Sequence, residues 1–205
     1  MRPSCQDGDP DGTKSMAKGE TLRDRTAAAI IDSATALLAE RGDTTSMEDI
    51  ATTAGVGRAT LYRYFPNRDA LLKAMALASI KELGDRIAHA DLDDVPFEEA
   101  VARLVRCIVS TGSKYIAVSR GGAGHSQAYP DVDAKVAEPI RALFRRGLAE
   151  GALRKEIPAD LLFTLFTGLV RGALDVPAGQ ARIEETAASI TTLFLHGATN
   201  VQRSP

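Results

Sequence analysis

From residue 21 onward the apolar residues of this chain recur at intervals of three and four, and no stretch alternates with period two. A chain patterned in that way can bury its apolar faces only by packing helices together. Ile30, Ala34, Leu37 and Leu38 set the first face, and Gly42 sits where that helix should stop. Ser46 is placed to cap a second helix, with Asp49 three residues on as the short form of a capping-box acid. Gly55 ends it, a short third helix follows to Pro66, and Asn67 caps a fourth that keeps its period to about residue 90. Beyond the acidic turn Asp91-Leu92-Asp93-Asp94, the pattern predicts helices over about 96–119, 130–150, 159–175 and 181–198. The expected fold class is all-α.

The first twenty residues, rich in Gly, Pro, Asp and Ser, carry no apolar period and read as a disordered tail. The organisation expected is therefore a tail over 1–20, a small helical domain over 21–75 and a larger helical domain over 76–200. With 44% hydrophobic and 25% charged residues among 205, the chain has the balance of a folded, soluble protein. No run approaches the roughly 18 apolar residues of a membrane span. Its two cysteines, Cys5 and Cys107, cannot make a disulfide framework, which points to a reducing compartment and a cytoplasmic location. The absence of Trp and an aromatic content of 5% weigh against a sugar site or an aromatic cage.

Bulk charge does not decide function, because the formal net charge is only −2. Placement does. In SMEDIATTAGVGRATLYRYF, residues 46–65, two short helices flank Gly55, where a positive φ is wanted. Ile50, Ala51, Val56, Leu61 and Phe65 can lock those helices at a steep angle, the layout of a helix-turn-helix. With Leu61 and Phe65 inward, Arg58, Ala59, Tyr62 and Arg63 face outward. A helix entering a major groove needs such residues: donors for guanine edges, small side chains for close approach and hydroxyls for phosphates.

The stretch over about residues 25–74 resembles the tetracycline-repressor (TetR) family of bacterial regulators. The resemblance rests on a first helix ending in Glu40-Arg41-Gly42, then IA-x-x-AGV, TLY-x-YF and N-R-x-x-L-L. It implies that Arg58, Ala59 and Tyr62 read bases, and that Thr60, Arg63, Tyr64 and Arg68 contact phosphates. Ser46 at the start of the second helix is counted with the DNA-facing set. Three positions depart from the family pattern: Gly57 stands where a serine usually caps the reading helix, Ala59 where glycine is common, and Glu48 where a basic or polar residue can touch DNA. The partner implied is double-stranded DNA carrying a palindromic operator.

The later helices fit the family in number, length and order. Leu161, Leu162, Leu165, Phe166, Leu169, Val170, Ala173 and Leu174 make a stripe wider than one neighbour requires, with Thr164, Gly168 and Gly172 spaced for close approach. Ile183, Ala187, Ile190, Phe194 and Leu195 form the expected matching face. The last two helices are therefore expected to make a homodimer, a four-helix bundle that the resemblance also implies. A small hydrophobic or amphipathic effector is implied within this domain, with Cys107, Tyr115, Phe144, Phe163 and Phe166 as candidate lining residues. The whole reads as a DNA-binding regulator, a repressor released by its ligand. A helical protein-interaction module with a vestigial helix-turn-helix is the alternative.

No enzyme chemistry emerges. His89, His125 and His196 are scattered without a ligand partner at three or four residues' distance, so no metal is expected. Gly121-Gly122-Ala123-Gly124 lacks the spacing and the preceding strand of a dinucleotide loop, and no nucleophile elbow surrounds His125-Ser126. No cofactor is expected. Arg141, Arg145 and Arg146 read as a solvated helical face.

Overall fold

The computed structural model describes residues 11–115, 133–176 and 183–199. The chain divides into two compact units, 1–71 and 72–205, the division falling inside one helix. Among the described residues the regular structure is helical, and one isolated bridge pairs Leu153 with Thr199.

The first unit holds α1 (Asp11–Arg41), a 3₁₀ turn (Gly42–Thr44), α2 (Met47–Thr53), α3 (Arg58–Tyr64) and the start of α4 (Arg68–Ala88). The chain is helical from Asp11, so residues 11–20 extend α1, whereas the sequence reading puts them in a disordered tail. Helical propensity in TKSMAK outweighs the two glycines there. Residues 1–10 lie outside the described residues.

Ile30, Ala34, Leu37 and Leu38 of α1 are buried, as are Ile50, Ala51, Leu61, Phe65 and Leu71; α1 packs on α2, and α2 on α3. Gly42 and Gly55 take φ of 59° and 67°, the left-handed region that ends α1 and α2 cheaply only with glycine. The connection between α1 and α2 is fixed from within: buried Thr45 donates its hydroxyl to the Leu37 carbonyl at 3.3 Å.

The second unit contains the remainder of α4, a 3₁₀ turn (Leu92–Asp94), α5 (Phe97–Lys114), a π-helical turn (Asp133–Ala137), α6 (Glu138–Ala149), α7 (Ala159–Asp175) and α8 (Ile183–Ala198). α5 is amphipathic and lies against α6, α7 and α8. It buries Phe97, Ala100, Val101, Leu104, Val105 and Val109. At the centre Phe144, Phe166 and Phe194 form a triangle with ring centroids 5.0–5.3 Å apart, two edge-to-face pairs and one stacked. Such pairs add about 0.5–1.5 kcal/mol each beyond their buried area.

Arg146 departs from the solvated face expected of it. Its guanidinium donates to the carbonyls of Leu92 at 2.8 Å and Val95 at 3.2 Å, stapling the α4–α5 connection to α6. Arg141 lies over the Phe163 ring at 4.6 Å, and Arg145 pairs with Glu138 at 2.6 Å.

The expected dimer faces are split by the structure. Leu162, Phe166 and Val170 of α7, and Ala187, Ile190 and Phe194 of α8, belong to the chain's own core. The matching face assigned to α8 is therefore internal. What remains outward is Leu161 at 48% exposure, Leu165 at 55% and Leu193 at 64%. Gly168 and Gly172 join them, with nothing within 4 Å of where a Cβ would stand. One 3.6-residue period served two faces, and periodicity alone could not say which half stayed inside.

Candidate nucleic-acid interface

The interface begins with a cap. The Asp49 amide donates to Ser46 Oγ at 3.1 Å, while the Ser46 amide donates to the Asp49 carboxylate at 2.9 Å, completing a capping box. The Ser46 hydroxyl, which donates to the same carboxylate at 2.6 Å, and then the Ser46 amide hold the Asp49 carboxyl below its usual range. The cap sets where α2 starts, and so where the turn delivers α3. The turn closes through the Gly55 amide on the Thr52 carbonyl at 3.1 Å and the Val56 amide on the Ala51 carbonyl at 3.0 Å.

α3 then presents two faces. Leu61 is fully buried and Phe65 nearly so, while Arg58, Ala59, Tyr62 and Arg63 are exposed and Thr60 and Tyr64 half-buried. The Arg58 guanidinium stands over the Tyr62 ring at 5.6 Å, a stacking that limits the arginine's rotamers before any partner arrives. Gly57 occupies the α3 N-cap without a side-chain hydrogen bond, leaving open space beside the helix start. Neither Arg58 nor Arg63 has a carboxylate partner among the described residues.

Arg68 stands apart from that set. It is read as a phosphate contact, yet its Nη1 donates to the Thr45 carbonyl and its Nη2 reaches Asp43 Oδ1 at 3.4 Å. Its guanidinium is turned to the α1–α2 connection. One basic residue of this surface went unnoticed in the sequence: Arg23 on α1, exposed, with its guanidinium 6.0 Å from the Tyr64 ring. The signal that could have found it is the helical reach of α1 towards the N-terminus.

The five candidate ligand residues stand in different surroundings. Phe144 and Phe166 are fully buried in the aromatic triangle. Phe163 is half-buried beneath Arg141. Tyr115, at the end of α5, donates its hydroxyl to Glu82 at 3.2 Å, and burial pushes that hydroxyl above its ordinary pKa. Cys107 is half-buried with its thiol 3.9 Å from the Arg86 carbonyl; burial raises the thiol pKa against the pull of Arg86 and Arg106. A separate open groove of about 570 Å³ runs between the end of α4 and α6, with Asp85, Asp91, Asp93 and Asp94 on its rim. The motifs at Gly121–Gly124 and His125-Ser126 lie outside the described residues. Among the described residues no three His, Cys, Asp or Glu side chains gather as metal ligands, and no helix is long and apolar enough to cross a membrane.

Comparison with known proteins identifies this arrangement. The sequence model of the bacterial regulatory proteins of the tetR family matches residues 30–75. The HTH-type transcriptional regulator NfxB of Pseudomonas aeruginosa is 29% identical over 170 residues, 78% of this chain and 87% of that protein. The HTH-type transcriptional repressor LfrR of Mycolicibacterium smegmatis is 40% identical over 91 residues, 44% of this chain and 47% of LfrR. The crystal structure of the TetR-like regulator LfrR in complex with proflavine superposes with a TM-score of 0.67 at 26% identity, covering 88% of this chain and 99% of that one. The TetR-family regulator PfmR of Thermus thermophilus shares the fold with a TM-score of 0.63 at 24% identity, over 82% of this chain and 97% of its own. These relatives are named for regulating transcription, not for catalysis. A segment matching the tetR family model thus covers the capped helix-turn-helix, and the chain resembles DNA-binding transcriptional regulators of that family.

Proposed function

We propose that this regulator is a cytoplasmic repressor that occupies a palindromic operator as a homodimer and leaves it when a small hydrophobic or amphipathic ligand binds the second unit. The observation that carries this reading is the division of α3. Leu61 and Phe65 anchor the helix, while Arg58, Ala59, Tyr62 and Arg63 are exposed with no carboxylate on either arginine among the described residues. Arg58, Ala59 and Tyr62 then read base edges in the major groove, and Thr60, Arg63 and Tyr64 contact the backbone. Ser46 orients α2 beneath them.

Two-fold reading needs a second copy with half-sites about 34–36 Å apart. The exposed Leu161, Leu165 and Leu193, beside open Gly168 and Gly172, favour α7 and α8 as the dimer surface. The ligand class draws support from LfrR, whose crystal structure is a complex with proflavine. Here Phe163, Tyr115 and Cys107 are the candidate lining residues that are not locked in the aromatic triangle.

The test is selection from a random duplex library with the purified protein at near-physiological salt. Enrichment of a palindrome is the expected result. A folded dimer that enriches nothing would instead favour the protein-interaction module. Ligand binding is read on the protein alone, with proflavine as the probe, as a rise in melting temperature with its concentration.

A further inference from the structure

One aromatic ring on this surface collects two cations from two different helices. The Arg63 guanidinium lies 5.7 Å from the Tyr64 ring centroid and the Arg23 guanidinium 6.0 Å from the same centroid. Tyr64 is half-buried and packs at a tilt against Phe65, 6.4 Å between centroids, so the ring is anchored to the core through its neighbour. Both arginines are exposed, and neither has a carboxylate partner among the described residues. Arg86, Arg103, Arg106, Arg145 and Arg146 of the second unit are each ion-paired, which leaves them less free to take up an anion.

Two like charges brought to one ring repel each other, and the ring faces offset that only in part. An anionic oxygen cluster between them would convert the repulsion into two charge-assisted contacts. Guanidinium forks suit phosphate oxygens in particular. The pair also differs in place from the reading pair Arg58 and Tyr62, which stack on each other. Its α1 member extends the cationic surface beyond α3 to the first helix.

We propose that Arg23 and Arg63, both held beside the Tyr64 ring, form a clamp for a DNA backbone phosphate outside the bases read by α3. This rests on the DNA-binding reading of α3 and adds a site on α1. The clamp contributes affinity without sequence preference, because a phosphate carries none.

The experiment compares the full-length protein with Arg23→Gln and Arg23→Lys on the selected operator across a salt series. Each phosphate contact contributes about 0.9 to the slope of log affinity against log salt. Arg23→Gln is expected to flatten the slope by about that amount per protomer, weaken every duplex by a similar factor and leave the selected sequence unchanged. Arg23→Lys is expected to keep most of the slope. Melting temperatures of the three proteins are expected to agree, since Arg23 is exposed. An Arg23→Gln slope equal to that of the unsubstituted protein overturns the clamp while leaving the reading of α3 intact. A change in the selected bases overturns it as well, by making Arg23 a base contact. Absence of any duplex binding by the unsubstituted protein overturns both readings together.

Discussion

Arg68, the first residue of α4, donates through its guanidinium to the main-chain carbonyl of Thr45, twenty-three residues earlier in the chain. That carbonyl belongs to the connection between α1 and α2, immediately before the Ser46 cap. The same guanidinium reaches Asp43 at 3.4 Å. Arg68 thus ties the start of one helix to the turn that launches another. Arg68→Ala should cost about 1–3 kcal/mol, the usual scale for losing a charged donor to a partly buried carbonyl. Operator affinity should fall with the salt slope little changed, because the charge is already engaged within the protein. A slope flattened by about one would instead make Arg68 a phosphate contact.

Arg58→Ala tests base reading directly. If Arg58 grips a guanine edge with two hydrogen bonds, its loss should cost about 1–3 kcal/mol and relax preference at one position of each half-site. Because Arg58 stacks on Tyr62 at 5.6 Å, the two side chains should not act independently. A double-mutant cycle with Tyr62→Ala should return a coupling energy, checked by equilibrium titration of the three variants.

Gly147 sits against Phe97 in the core of the second unit. A Cβ there would stand 2.5 Å from Phe97 Cε2, and the ring is buried with little room to retreat. Gly147→Ala should destabilise by about 1–3 kcal/mol, seen as a melting temperature lower by several degrees. Adding Phe97→Leu should recover part of the loss. Gly112→Ala makes a useful contrast, since its nearest neighbour at 2.6 Å is the flexible end of Leu174. It should cost less.

Glu82 gathers Lys114 at 2.7 Å, Tyr115 at 3.2 Å and Arg86 at 3.5 Å. Burial pushes its carboxyl upward, but the Lys114 hydrogen bond and charge, the Tyr115 hydroxyl and Arg86 outweigh that and hold it below the ordinary range. Lys114 is raised in turn, chiefly by its hydrogen bond to Glu82. A depressed carboxylate stabilises the fold above its unfolded pKa and loses that contribution as pH falls through the folded value. The raised lysine stabilises below its unfolded pKa and loses its share as pH climbs through the folded value. Both contributions are therefore present at neutral pH. Since the pair is partly exposed, Lys114→Met should cost only about 0.5–1 kcal/mol there, and the difference should vanish once Glu82 is protonated. Denaturant titrations at neutral and acid pH, with the Glu82 carboxyl followed by NMR, check both statements.

Much of this was legible beforehand, for physical reasons that differ by residue. The Ser46–Asp49 box and the positive φ at Gly55 are local effects, set within three residues, and sequence shows them directly. The inward Leu61 and Phe65 follow from helical spacing. The ties of Arg68 to Thr45 and of Arg146 to Leu92 were not visible, because long side chains choose carbonyls far away in sequence. The five candidate ligand residues were chosen as apolar or aromatic. That property does not foretell burial: Phe144 and Phe166 are fully buried, whereas Phe163 and Cys107 are half-buried.

The last prediction concerns the second copy. Leu165 and Leu193 are 55% and 64% exposed in the single chain, so replacing either by Glu removes no intrachain contact of consequence. If α7 and α8 pair with a partner's helices, Leu165→Glu and Leu193→Glu should give folded monomers, because each variant would bury a charge without a partner in the bundle. Gly168→Leu sharpens the test. Nothing lies within 4 Å of a Cβ at that position, and leucine is the better helix former, so the protomer should be as stable or slightly more so. The added side chain would nevertheless hold a partner helix away. Sedimentation should then show a monomer with an unchanged helical signal, and binding to the palindrome should weaken steeply while binding to single half-sites survives. A dimer persisting in all three variants would place the two-fold contact on another surface.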